Sequence, residues 1–161
     1  GIKKFLFKRI YSEIKLKGEY FMELKDIMTT DVETVTINTP LKEAAEIMKK
    51  YDVGSLPVLD KGTLVGIITD RDIVLRGVAG GNANLTCRDA MTSDIVSGTP
   101  DMDAREAARI MAYRQIRRLP VVDNGKLIGI VALGDIATEP NLTNEAGDAL
   151  NDISKPTGPV S

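Results

Sequence analysis

Leu56-Pro57-Val58-Leu59-Asp60, followed by Gly66-Ile67-Ile68-Thr69-Asp70-Arg71-Asp72-Ile73, decides the fold because it comes back. After a step of 63 residues the chain reads Leu119-Pro120-Val121-Val122-Asp123 and then Gly129-Ile130-Val131-Ala132-Leu133-Gly134-Asp135-Ile136. The step holds without a gap. Lys25-Asp26-Ile27-Met28-Thr29 recurs as Arg88-Asp89-Ala90-Met91-Thr92, and 20 of the 51 positions from Asp26 to Arg76 are identical in the copy. A unit used twice implies two like modules packed together, and their shared interface is where function is to be sought.

Within the first copy, Val32 to Ile37 reads as a short strand, and Thr39-Pro40 supplies an N-cap with proline at the first helical position. Leu41, Ala44, Ala45, Ile47, Met48 and Tyr51 keep the spacing of one buried helical face, with Lys42, Glu43, Glu46, Lys49 and Lys50 outward. Ser55 to Leu59 and Thr63 to Thr69 are β-rich runs joined by Asp60-Lys61-Gly62, a hairpin signal, and a second helix opens around Asp70. The second copy repeats the order: a strand at Ile95 to Gly98, a helix from about Asp103 to Tyr113, a hairpin at Asp123-Asn124-Gly125 and a helix near Gly134. Strand, helix, strand, strand, helix, used twice, predicts an α/β (α+β) fold, with modules at 22–82 and 83–140.

A chain of 161 residues suits two small modules that share a core, since a module of about 60 residues is marginal alone. With 21 basic against 23 acidic residues and few aromatics, no basic field exists to hold nucleic acid, and none is expected as a partner. The absence of histidine removes the commonest metal ligand and general base, and the single Cys87 cannot form an internal disulfide. A cytoplasmic protein that is not an enzyme, with no metal and no cofactor, is the expectation. Cys87 itself, with Arg88 as its only evident activator, reads as a spacer. Gly77, Gly80 and Gly81 with Asn82 and Asn84 match no phosphate-loop spacing and read as the flexible linker between copies. Met28, Met48, Met91 and Met111 recur at equivalent positions, which suits core packing.

The ends differ from the middle. Residues 1–21 carry six basic against two acidic residues, and Ile2, Phe5, Leu6, Ile10 and Ile14 fall on one side of a helix. Two readings stand: a helix lying on a membrane surface, or an extension preceding a native start at Met22, the latter preferred. The stretch is too short and too charged to span a bilayer, and no membrane partner is expected. Within the tail 141–161, Leu142, Ala146, Ala149, Leu150 and Ile153 line one face of a short helix, and residues 155–161 read as disordered.

Asp26-Ile27-Met28-Thr29, Glu43-Ala44-Ala45, Leu56-Pro57-Val58 and Gly66-Ile67-Ile68-Thr69-Asp70-Arg71-Asp72, in that order, resemble a cystathionine-β-synthase (CBS) domain. With its second copy, the chain resembles a stand-alone CBS-domain pair, or Bateman module, over about residues 24 to 139. It is similar to small bacterial proteins made only of such a pair, in which Gln115-Ile116-Arg117-Arg118-Leu119-Pro120 has near counterparts. The resemblance implies two tandem domains packed about a pseudo-twofold axis, and a flat homodimer of pairs.

Thr69 ends a strand and Asp72 lies in the first turn of the following helix, so a hydroxyl and a carboxylate face one crevice beside free backbone N–H groups. A carboxylate can accept both hydroxyls of a ribose. The alternative is an N-terminal capping pair. The second copy replaces Thr69 by Ala132 and keeps Asp135. In CBS pairs the threonine and aspartate hold the ribose of an adenosine nucleotide, and the crevice is completed by the other copy's segment before Leu-Pro. Carried over, Arg117 and Arg118 face the phosphates with help from Arg71, guanidinium groups suiting phosphate by their fork geometry. The adenine then lies among Ile67, Ile95, Val96, Ile116 and Pro120. The mirror crevice, with Asp135, Val32, Val53, Gly54 and Pro57, lacks both arginines and the threonine, and Gly134 replaces Arg71. One competent site and one weak or empty one are expected.

The resemblance thus implies a regulatory module that binds AMP, ADP or ATP as a regulatory ligand and signals to an effector protein. The alternatives are a ligand-free interaction scaffold and a sensor of another adenosyl ligand, NAD(H) or S-adenosylmethionine.

Overall fold

A computed structural model describes residues 22–82, 84–137 and 153. The expectations for the segment 1–21 and for a helix within 141–161 lie outside the described residues, apart from Ile153, which is helical. The described residues form two compact units, one within 28–100 and 119–131, the other within 22–27, 101–118 and 132–137.

The first unit carries a five-stranded sheet whose strands are ordered β1-β2-β3-β5-β4. β1 (Val35–Thr36) pairs in parallel with β2 (Ser55–Asp60), which pairs antiparallel with β3 (Thr63–Thr69). β5 (Lys126–Ala132) joins β3 at Thr63–Lys126, and β4 (Arg118–Asp123) lies outside it. The turn between β2 and β3 places Lys61 and Gly62 at φ 50° and 83°, and the turn between β4 and β5 repeats this at Asn124 (51°) and Gly125 (81°). Two successive positive φ values are what a tight hairpin needs to follow the strands' right-handed twist.

Helix α1 (Leu24–Ile27) belongs to the second unit; α2 (Leu41–Tyr51) covers the sheet of the first, burying Leu41, Ala44 and Met48 with Val35, Ile37, Leu56, Val58 and Ile68. After β3 comes α3 (Asp70–Asp72), which runs straight into a π-helical stretch at Ile73–Val78. Then α4 (Cys87–Ala90) delivers Cys87 and Ala90 to the same core. Cys87 is therefore no spacer. It is fully buried, and that burial, with Glu43 nearby, pushes its thiol up to about 11. The same step of 63 aligns Cys87 with Leu24, itself fully buried in α1. Gly77 is not linker either, since it sits buried in the π-helical stretch, where an added Cβ would lie 2.9 Å from Leu41 Cδ1.

In the second unit, α5 (Ala104–Arg114) and α6 (Leu133–Ala137) bury Ala104, Ala107, Ala108, Met111, Leu133 and Ile136 with Met22 and Leu24. Paired bonds from Leu24 N–H to Met102 O and from Ala104 N–H to Met22 O, both 2.9 Å, tie the Met22–Leu24 segment to the start of α5. Asp103 caps α5, its Oδ1 accepting from Arg105 N–H at 3.0 Å.

Three local expectations need correction. The first strand shrinks from Val32–Ile37 to Val35–Thr36. Its counterpart at Ile95–Gly98 forms no strand, only one parallel bridge between Gly98 and Val121. In the first copy Ile37 N–H donates to Leu59 O at 3.1 Å; the aligned residue is Pro100, which has no N–H to give, so the ladder stops. Nor does Thr39 cap α2. The cap position is Pro40, and the Thr39 hydroxyl accepts instead from Thr36 N–H at 3.0 Å.

Within the first unit the two copies are interlocked. Thr29 N–H donates to Ile130 O (2.8 Å) and Ile130 N–H to Thr29 O (2.9 Å). Symmetrically, Ile67 N–H donates to Thr92 O (3.0 Å) and Thr92 N–H to Ile67 O (2.8 Å). Beside each bridge a thioether lies on a glycine: a Cβ on Gly66 would stand 2.5 Å from Met91 Sδ, and one on Gly129 would stand 2.7 Å from Met28 Sδ. Met48 and Met111 are buried in their helices, whereas Met28 and Met91 are half-buried beside the glycines.

Candidate functional site at the strand-to-helix junctions

At the end of β3, Thr69 and Asp72 form a reciprocal capping box. Asp72 N–H donates to Thr69 Oγ1 and Thr69 N–H donates to Asp72 Oδ2, each at 3.0 Å. This box satisfies two backbone donors that the helix start leaves open. It leaves the Thr69 hydroxyl proton available as a donor, and Asp72 Oδ1 without a partner among the described residues. Both side chains are half-buried, as is Ile67 two residues before Thr69. A hydroxyl donor beside a carboxylate acceptor on a half-apolar floor is chemistry suited to a vicinal diol.

The other residues expected to line this crevice fall as follows. Ile95 and Val96 are half-buried in a segment anchored at both ends, by the Ile67–Thr92 bridge before it and by the bond from Gly98 N–H to Pro120 O (2.8 Å) after it. Pro120 is buried in β4. Arg71 is exposed, its N–H bonded to Asp70 Oδ1 at 2.8 Å. These residues share the first unit with Thr69 and Asp72, whereas Ile116, Arg117 and Arg118 belong to the second. There Arg117 and Arg118 are exposed, Ile116 is half-buried, and Arg117 O accepts from Leu133 N–H at 2.9 Å.

The mirror junction keeps the frame and loses part of the chemistry. Asp135 Oδ2 accepts from Ala132 N–H at 3.0 Å, as Asp72 does from Thr69, but no hydroxyl returns the bond. Gly54 O accepts from Asp70 N–H (3.0 Å), the counterpart of Arg117 and Leu133. Gly54 itself is exposed, Val53 and Val32 are half-buried and Pro57 is buried, all four in the first unit, while Asp135 lies in the second. Among the described residues no group of three His, Cys, Asp or Glu side chains could hold a metal ion.

One contact at this junction is not legible in residue types: Arg76, four residues after Asp72, donates from Nη1 to Ala90 O (2.9 Å) and Met91 O (3.0 Å). The only sequence signal for it is a mismatch in the repeat, since the aligned residue is Glu139.

Comparison with known proteins agrees with this architecture. The CBS-domain family model matches residues 24–78 and 87–141. The chain is 48% identical over 132 residues to the CBS domain-containing protein YhcV of Bacillus subtilis, an alignment covering 81% of this chain and 94% of that protein. Among solved structures, the CBS-domain pair of protein MJ0100, in complex with 5′-methylthioadenosine and S-adenosyl-L-methionine, superposes with a TM-score of 0.65 at 32% identity, covering 73% of this chain and 94% of that one. CBSX2 in complex with AMP gives a TM-score of 0.62 at 31% identity, covering 70% and 91%.

The chain belongs to the CBS-domain family and carries the domain twice. CBS-domain pairs are regulatory ligand-binding modules rather than catalysts. No helix among the described residues is long and apolar enough to cross a membrane.

Proposed function

We propose that this protein is a cytoplasmic sensor of an adenosine-containing nucleotide, AMP, ADP or ATP, that passes its ligand state to an effector protein. The ribose rests on Thr69 and Asp72. Adenine lies among Ile67, Ile95, Val96, Ile116 and Pro120, and the phosphates meet Arg117, Arg118 and Arg71. The mirror site around Asp135, Val32, Val53, Gly54 and Pro57 is weak or empty. The domains run from 22 to 82 and from 83 to 140.

The observation that carries this reading is the hydroxyl and carboxylate oxygen that the Thr69–Asp72 box leaves available beside Ile67. Adenosyl compounds and AMP in solved relatives support it. A homodimer is the natural transmitting unit, and the exposed ridge of Val74 (54%), Leu75 (51%) and Val78 (73%) supports association of copies. Binding that favours one arrangement of such a dimer suffices for signalling.

Thermal unfolding with AMP, ADP, ATP, NADH or S-adenosylmethionine tests the reading. A nucleotide at about a hundredfold over its Kd should add roughly 2.7 kcal/mol of stability. Asp72→Ala should abolish that gain. The double change Arg117→Ala with Arg118→Ala should weaken ATP much more than adenosine, and equal losses would refute the phosphate assignment. No stabilisation by any of the five would leave the box as a cap alone and the protein as an interaction scaffold.

A further inference from the structure

We infer that Arg76 is a positioning residue for the nucleotide pocket: it pins the second copy's Met91–Val96 segment, the adenine wall, to the helical run that carries Asp72. The inference rests on the ligand reading above and goes beyond it by assigning base selectivity to a residue that touches no ligand.

The contacts involved all lie inside one unit. Arg76 follows Asp72 by four residues, about one turn along the same helical run. Its Nη1 reaches the carbonyls of Ala90 and Met91 at the C-terminal end of α4, where orphan carbonyls favour a cation. The next residue, Thr92, is bridged to Ile67, and Met91 Sδ lies against Gly66. Three contacts therefore fasten the start of the segment that bears Ile95 and Val96 to the strand and helix that bear Ile67, Thr69 and Asp72.

The repeat shows which of these contacts are general. The backbone bridge recurs as Thr29 with Ile130, and the thioether on glycine recurs as Met28 on Gly129. The cation does not recur, because position 139 is glutamate, which cannot donate to carbonyls. The threonine and Arg71 also fail to recur, at Ala132 and Gly134. Three unduplicated polar side chains of the first junction, Thr69, Arg71 and Arg76, thus fall on the side of the ribose pair. Loss from one copy does not by itself mark a functional contact, since the Ile37–Leu59 bond is also unduplicated; what distinguishes Arg76 is its place beside the ribose pair. A contact kept on the side with the ribose pair fits a role in holding the distance between ribose carboxylate and base wall, a distance on which recognition of the base edge depends.

The test compares binding of AMP and GMP to the full chain by titration calorimetry, with ligand-free melting recorded alongside. Arg76→Ala is expected to raise the Kd for AMP at least tenfold and to reduce the preference for AMP over GMP at least fivefold. Arg76→Lys, which keeps the charge, should recover part of both. Should Arg76→Ala not fold, Arg76→Gln takes its place with the same expectations. An unchanged Kd, or losses of AMP and GMP binding by one common factor, overturns the inference while leaving the nucleotide reading intact. A wild-type chain that binds ATP but not AMP is compared with ATP and GTP instead, and one that binds none of AMP, ADP and ATP removes both readings.

Discussion

Segments 52–72 and 115–135 follow one backbone path with different side chains. Left-handed residues fall at Asp52 and Gln115, at Lys61 and Asn124, and at Gly62 and Gly125, each pair separated by the repeat step. Yet Thr69-Asp70-Arg71 in one segment corresponds to Ala132-Leu133-Gly134 in the other. The backbone is constrained by its hydrogen bonds and by the apolar residues it buries, which leaves the few positions at the strand-to-helix junction free to diverge. Chemistry specialises there, at little cost to the scaffold.

The equivalence is broken most forcefully at its tightest points. A Cβ on Gly66 would lie 3.0 Å from Thr92 O, and one on Gly129 would lie 2.9 Å from Thr29 O, with a thioether closer still in each case. Gly66→Ala and Gly129→Ala should each lower the unfolding free energy by about 2–3 kcal/mol, measured by urea denaturation. Similar losses in both would confirm that the two copies are held alike.

A smaller effect distinguishes Cys87 from its counterpart Leu24, because only the thiol ionises. Its value is raised to about 11 by burial, so the folded state keeps the thiol protonated where the unfolded chain loses its proton. The contribution is complete below the unfolded value of 9.0 and is lost as pH rises toward 11. Wild-type stability should therefore fall between these limits by about 2 kcal/mol more than that of Cys87→Ala, followed by denaturant midpoints across the range.

Ala132→Thr restores the missing half of the second box. The new hydroxyl can accept from Asp135 N–H, and the variant should gain about 0.5–1 kcal/mol. The least effect is expected at the hairpins. Lys61 has a φ of 50°, a conformation that asparagine tolerates better, as Asn124 does in the other copy. Lys61→Asn should raise the melting midpoint by the equivalent of a few tenths of a kcal/mol.

Much of this architecture is legible in the sequence, because hairpins and amphipathic helices announce themselves through local residue types. Lys61-Gly62 and Asn124-Gly125 mark both turns, and the spacing from Leu41 to Tyr51 marks α2 with its observed bounds. The second copy's first strand is misread because Ile95 and Val96 favour strands, whereas the ladder depends on an N–H that Pro100 lacks. Cys87 is misread because a four-residue helix leaves no periodicity to detect. Its alignment with Leu24 is the better guide. Of the candidate site, the Thr69–Asp72 pair is readable from its spacing, but Arg76 is not, since its partners are main-chain carbonyls whose positions depend on the whole interlocked unit.

The crossed bridges at Thr29–Ile130 and Thr92–Ile67 bear on ancestry. A progenitor with a single copy would have lacked these cross-copy partners within its own chain, and a second molecule could have supplied them. Gene duplication would then have fused two subunits of an obligate dimer into one polypeptide. Splitting the gene between the copies should return it to that condition, two chains that fold only on finding each other.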